Sequence, residues 1–209
     1  MHKKLVFATN NPHKISEVRA ILGPEHPVVS LAEIGCNEDI PETADTLEGN
    51  ALLKARWVSS HYGCDCFADD TGLEVEALGG EPGVLSARYA GANGRGEGHD
   101  SDANCRLLLE RLDGQENRKA RFRTVFALIS GGRETLVEGI VNGRIAAGPH
   151  GHDGFGYDPL FIPEGFAETF AEMTAEQKNS ISHRRRAADA LLKVISGSSS
   201  PLFTPESDD

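Results

Sequence analysis

The chain has 209 residues, 39% hydrophobic and 6% aromatic, and its 21 Lys and Arg against 32 Asp and Glu give a formal charge of −11. A chain of this size buries roughly 70% of its unfolded surface, enough for one core or two packed lobes without disulfides or structural metals. The acidic balance excludes a surface that wraps a nucleic-acid polymer, because a basic face is what releases counterions from a phosphate backbone, and it disfavours lipid surfaces as well.

The elements follow in chain order. Lys4 to Ala8 reads as a short buried strand, Thr9-Asn10-Asn11-Pro12-His13-Lys14 as a polar turn, and Ile15, Val18, Ile21 and Leu22 as the apolar face of a helix that ends at Gly23. Asn11 suits the cap, Pro12 the first helical position and Gly23 the C-terminal cap. A second helix is expected from Thr46 through Val58, with Leu47, Ala51, Ala55 and Val58 on one face. A strand from Asp65 to Ala68 then leads into an expected turn at Asp69-Asp70-Thr71-Gly72, and Leu73 and Val75 alternate with Glu74 and Glu76 beyond it. A third helix spans roughly Asp102 to Leu112. Phe122–Ser130 and Glu134–Val141 flank Gly131-Gly132-Arg133 as a hairpin, and Asn142-Gly143 offers a second tight turn. The last helix runs from about Ser182 to Ile195, giving a mixed α/β fold. Residues 1–196 read as one compact unit, and 197–209 as an acidic tail too poor in apolar residues to order itself.

No apolar run approaches the roughly 18 residues of a membrane-spanning helix, and Leu5-Val6-Phe7-Ala8 is too short for a signal-peptide core, so the expected location is the cytoplasm. Cys36, Cys64, Cys66 and Cys105 are too few and too irregular for a disulfide framework. Cys64 and Cys66 share a strand face and read as small buried residues rather than a metal site.

Four segments could carry chemistry. The turn from Thr9 to Lys14 is either simply a good helix start or an anion site, with backbone N–H groups facing outward and Thr9 and Lys14 adding a hydroxyl and an ammonium. Asp69 and Asp70, joined by Glu42 from a preceding loop, are either a solvated turn or a hard-oxygen set of the kind that holds Mg²⁺ with water and substrate phosphates. Lys178 to Arg186 places several cations at the start of the last helix, against its dipole, in a loop expected between two helical pieces; the compensating charge is either the protein's own carboxylates or a polyphosphate. Gly148 to Pro159 is a glycine-rich loop, read as flexible, in which Phe155 offers a face for stacking a base; His150 and His152 with Asp153 make a poor metal site there.

Taken together, these segments resemble the inosine/xanthosine triphosphate pyrophosphatases. The resemblance rests on Ala8 to Lys14, Glu42-Thr43 with Leu47-Glu48-Gly49-Asn50-Ala51, Ala68 to Leu73, Ser86-Ala87-Arg88-Tyr89, Gly154 to Pro159 and Ser182-His183-Arg184, and it covers residues 4 to 196. It implies a two-lobed α/β fold with a long, twisted, mixed central sheet flanked by helices, a homodimer, and nucleotide in the cleft between the lobes. It also implies Mg²⁺-dependent hydrolysis of ITP, dITP or XTP to monophosphate and pyrophosphate. Carried over by position, Thr9, Asn10, Asn11, Pro12, His13 and Lys14 hold the triphosphate. Glu42, Asp69 and Asp70 hold Mg²⁺, with Asp70 as base for the attacking water and Lys14 beside it in catalysis. Thr71 lies next to the substrate, Phe155, Gly156, Tyr157 and Asp158 cradle the base, and Lys178, His183 and Arg184 contact the base and phosphate end. A Maf-type pyrophosphatase acting on pyrimidine or modified nucleotides, or a regulator that binds nucleotide without turnover, are the alternatives. Gly-Phe-Gly-Tyr-Asp and Ser-His-Arg favour the purine reading, and Glu42, Asp69, Asp70 and Lys14 favour turnover.

Overall fold

The computed structural model describes residues 4–95 and 98–197; most of the expected tail therefore lies outside the described residues. The elements are β1 (Leu5–Phe7), α1 (Pro12–Leu22), β2 (Val28–Ser30), α2 (Leu47–Tyr62), β3 (Cys66–Val75), β4 (Pro82–Gly83), α3 (Tyr89–Ala92), α4 (Ser101–Arg111), β5 (Lys119–Ser130), β6 (Arg133–Ile145), β7 (Phe161–Pro163), α5 (Ala175–Ile181) and α6 (His183–Ile195). The strands form one mixed sheet in the order β2-β1-β3-β5-β6-β7, with β4 paired to β3.

The chain divides into two compact units, and β3, β5 and β6 each give residues to both. The first holds the described residues up to Asp70, Thr124–Gly139 and those from Arg184; the second holds Thr71–Arg123 and Ile140–His183. In the first unit β1 pairs in parallel with β2 (Leu5 opposite Val28) and with β3 (Val6 opposite Cys66). Two parallel pairings need crossovers, and α1 and α2 lie on those connections. Helix α1 starts where Asn11 Oδ1 accepts from the N–H groups of His13 and Lys14, and ends at Gly23 with φ +68°. Thr46 Oγ1 caps α2 by accepting from the Gly49 N–H, and the helix runs four residues past the expected end, to Tyr62 before a left-handed Gly63. The core is a pile of rings, Phe7 stacked on Phe67 at 4.5 Å with Phe126 tilted against both, packed on Val18, Ala187, Ala188 and Leu191. Each of the larger side chains, Phe, Val or Leu, contributes about 1.5–3 kcal/mol on burial.

In the second unit β4 pairs antiparallel to β3 and β7 antiparallel to β6. Its core joins Leu73, Leu108, Leu112, Phe122, Ile145, Phe161, Phe170 and Met173. Asp100 caps α4 by accepting from the Ala103 N–H.

Two expected turns are not turns. Asn142-Gly143 lies inside β6, where Gly143 faces Pro163; a Cβ at Gly143 would collide with the Ile162 carbonyl. The glycine is there for close approach of β7. Asp69-Asp70-Thr71-Gly72 is likewise continuous strand within β3. The cations near the C-terminus are not in a loop either. Thr174 and Gln177 close a capping box on α5, Lys178 sits within that helix, and only Ser182 separates it from α6. Cys66 is buried with its Sγ on the Ala55 carbonyl, and burial pushes its thiol up to about 12.

Candidate active site

The chemistry of the first unit gathers around β3. Successive residues of a strand point to opposite faces, so Asp69 and Asp70 have different surroundings. Asp69 is fully buried, with Lys14 Nζ 3.0 Å from its carboxylate and Arg184 Nη2 at 3.5 Å. Arg184, itself buried, also pairs with Glu17 on α1. Burial raises the Asp69 carboxyl, but the charges of Lys14, Arg184 and Lys54 outweigh it and hold the group at about 2. Burial likewise lowers the Lys14 ammonium below its ordinary value despite Asp69. Asp69 is thus a fixed anion that holds two cations in place.

Asp70 is the opposite case. Its carboxylate accepts from Asn50 Nδ2 at 3.1 Å and lies 3.9 Å from Lys54 Nζ. Burial raises its proton affinity above the ordinary value and Glu42 adds to that; Lys54 and Lys14 reduce the rise without cancelling it. A carboxyl poised upward is the better proton acceptor at neutral pH. Lys54 also pairs with Glu42, and although burial opposes its charge, Asp70, Asp69 and Glu42 raise it. One ammonium therefore bridges two carboxylates.

Among the described residues no group of three or more His, Cys, Asp or Glu side chains is arranged to hold a metal. Mg²⁺ does not require one, since it commonly takes one or two carboxylates with water and substrate phosphates. Of the expected donors Glu42, Asp69 and Asp70, Asp69 is taken up by Lys14 and Arg184; Glu42 and Asp70 are left as such a pair of hard oxygen donors, and the ammonium between them shows that the spot favours positive charge. The donor set fits the ion.

The opening turn is built by its own side chains. Asn11 Oδ1 takes the N–H groups of His13 and Lys14, and Thr9 Oγ1 takes the Asn11 N–H. The expectation that these backbone donors face outward fails, because a good N-cap satisfies the same orphan groups an anion would use. Asn10 Nδ2 reaches the Glu38 carbonyl at 3.4 Å, and Pro12 and His13 are exposed.

The second unit holds the aromatic part. Asp158 accepts from the Phe155 N–H at 2.8 Å and from Lys178 Nζ at 2.8 Å. Lys178 Nζ lies 5.0 Å from the centre of the Phe155 ring and 5.8 Å from that of Phe170. Gly154 has φ +81°, and a Cβ there would run into the Asp158 carboxylate, so glycine is required for the turn. Gly156 follows in the same loop, and the Tyr157 hydroxyl donates to the Ser86 carbonyl at 2.9 Å. His183 stacks on Phe122 at 4.6 Å. Thr71 is half-buried on β3.

The loop from Gly148 is not slack. The N–H groups of His152 and Asp153 both donate to the Ala171 carbonyl, that of His150 to Pro159, and Thr169 Oγ1 to His150. Three partners of these carboxylates and of Arg184 were given no role from the sequence: Glu17, Asn50, which stood only within the Leu47 to Ala51 motif, and Lys54. The last two carried a signal, since they share the otherwise apolar face of α2 with Leu47, Ala51, Ala55 and Val58.

Comparison with known proteins places this arrangement. The model of the Ham1 family matches residues 5–194. The chain is similar to the dITP/XTP pyrophosphatase of Porphyromonas gingivalis, at 58% identity over 194 residues covering 92% of this chain and 97% of that protein. It is also similar to the dITP/XTP pyrophosphatase of Bacillus subtilis, at 48% identity over 197 residues covering 92% and 97%. Among solved structures, the Staphylococcus aureus Ham1 protein superposes with a TM-score of 0.82 at 38% identity, covering 94% of this chain and all of that one. The nucleoside-triphosphatase / dITP/XTP pyrophosphatase of Mycobacterium abscessus gives 0.72 at 45% identity, covering 90% and 98%. With the family model matched over nearly its full described length, the chain belongs to the Ham1 family.

Proposed function

We propose that this chain is a Mg²⁺-dependent nucleoside triphosphate pyrophosphohydrolase that acts on the deaminated purine nucleotides dITP, XTP and ITP, works in the cytoplasm as a homodimer and releases monophosphate and pyrophosphate. The carrying observation is the split between the two neighbouring aspartates: one held down to about 2 by buried cations, the other raised beside a second carboxylate and a bridging ammonium. The names of the relatives support the substrate class.

Glu42 and Asp70 would hold Mg²⁺, which would supply polarisation of phosphoryl oxygen and easier deprotonation of water there. Asp70 accepts the proton of the water that attacks the α-phosphorus, and the bond from that phosphorus to the bridging oxygen of the β-phosphate breaks. Lys14, fixed by Asp69, and Lys54, freed from Glu42, offset the charge that develops on pyrophosphate. Thr9 to His13 border the phosphates, and Thr71 the substrate. In the second unit Phe155 stacks the base, with Gly156, Tyr157 and Asp158 shaping the loop. Lys178 and His183 donate to a 6-oxo group, which a 6-amino base cannot reciprocate; leaving such a donor unpaired costs about 1–3 kcal/mol. Arg184 acts through Asp69 rather than on the substrate.

The test is pyrophosphate release from dITP, XTP, ITP, dATP, UTP and dTTP, with Mg²⁺ and with chelator. Release that needs Mg²⁺ and prefers the first three substrates is expected. Equal turnover of dATP, or preference for UTP or dTTP, would overturn the purine reading.

A further inference from the structure

Asn50 is completely buried in the first turn of α2, and both ends of its amide are used. Its Nδ2 donates to Asp70 Oδ2 at 3.1 Å, and its Oδ1 accepts from the Ala44 N–H at 2.9 Å. Ala44 is two residues beyond Glu42, so this one side chain links the strand that carries Asp70 to the segment that carries Glu42.

The segment is pressed on α2 from a second side. A Cβ at Gly49 would lie 2.6 Å from that of Ala44 and 3.1 Å from Thr46 Oγ1, so the chain from Ala44 to Thr46 lies closer to the helix than any larger residue permits. One turn further along the same face stands Lys54, paired with Glu42 and close to Asp70. A helix face with residues at i and i+4 is a rigid ruler: Asn50 holds Asp70 and, through the Ala44 N–H, the segment of Glu42, while Lys54 pairs with both carboxylates.

We infer that Asn50 is a positioning residue for the metal-holding pair, its amide fixing the separation and orientation of Glu42 and Asp70 before any ligand arrives. The inference rests on the reading of Glu42 and Asp70 as the Mg²⁺ ligands. A carboxylate held by a fixed donor enters the metal's coordination without first surrendering rotational freedom, and partners of this kind change metal affinity or activity about 10- to 100-fold when removed.

Two variants test it on the full chain. Asn50→Leu keeps the branched outline, with somewhat more bulk, and removes both bonds. Asn50→Asp keeps the shape and the acceptor for the Ala44 N–H but turns the donor into an anion facing Asp70, so it remains informative if the leucine variant folds poorly. The readouts are the Mg²⁺ dissociation constant from titration calorimetry with the metal alone, and kcat and KM for dITP at saturating Mg²⁺. The expected result is an Mg²⁺ constant raised about tenfold or more in Asn50→Leu and a kcat lowered about tenfold or more in both variants, with KM within about twofold of native. Native Mg²⁺ affinity in Asn50→Leu together with native kcat in Asn50→Asp would overturn it, as would a loss confined to melting temperature. Failure of the native chain to release pyrophosphate would sink the functional reading alone, and the calorimetric arm still decides the role of Asn50.

Discussion

The two units solve the problem of burying polar chemistry in different ways. In the first, a lattice of charges neutralises itself: Lys14 and Arg184 on Asp69, Lys54 on Glu42 and Asp70, Glu17 on Arg184. In the second, one ion pair, Lys178 with Asp158, is set among rings of Phe155, Phe170, Phe122 and His183. The lattice is costly to disturb because every charge removed leaves another buried without its partner. The aromatic region is forgiving by comparison, since stacking is lost by degrees. Reaction rate and folding stability should therefore depend on the first unit, and choice of substrate on the second.

The sharpest break is Asp70→Asn, which retains the acceptor for Asn50 and removes the base. A fall of about 10²- to 10⁴-fold in kcat is expected, measured by pyrophosphate release, and because Lys54 keeps Glu42 as its partner, calorimetry should show a smaller loss of stability than for Asp69→Asn. Asp69→Asn should divide the other way. It leaves Lys14 and Arg184 without their buried anion and lowers stability by about 3–5 kcal/mol in urea denaturation, while the ratio of ITP to ATP turnover stays native. Unchanged stability would mean that the lattice is not the structural element its burial indicates.

Asp69 also sets an acid limit. Its folded value, about 2, lies below its ordinary 3.8. The stabilisation it gives is complete above the ordinary value and is lost as pH falls through 3.8 toward 2, on the order of 2 kcal/mol. Urea midpoints at pH 5 and pH 2 should show that loss in the native chain, and Asp69→Asn should remove it. In the second unit Phe155→Leu should cost about 1–3 kcal/mol in KM with kcat nearly native, the signature of a stacked base. An equal loss in kcat and kcat/KM would place Phe155 with the reacting atoms and erase the contrast between the units.

Much of this was readable in the residues alone. Asn11, Pro12 and Gly23 marked α1 at both ends, Thr174 and Gln177 marked α5, and the three carboxylates of interest could be named from their types and neighbours. The aspartate pair misled because Asp-Asp-Thr-Gly has the composition of a turn, yet burial against cations on one face and Asn50 on the other holds it extended. Asn142-Gly143 misled for a related reason. Glycine serves tight turns and close strand contacts alike, and only the partner strand tells them apart. Glu17 looks like an ordinary surface charge of a helix, and its pairing depends on Arg184, distant in the chain, which helical spacing does not reveal. Lys54 and Asn50 were still detectable as polar residues on an apolar face.

The unbroken run of β3 also limits how the chain can change length over evolutionary time. Since side chains alternate along it, loss or gain of a single residue between Cys66 and Asp69 would turn each aspartate toward the other's surroundings, placing Asp70, the proposed proton acceptor, on Lys14 and Arg184 and Asp69 on Asn50. Such a change would exchange the two roles rather than weaken either one. Variation in length is better absorbed where side-chain direction carries no meaning, as at Gly131-Gly132, whose left-handed backbone turns β5 into β6.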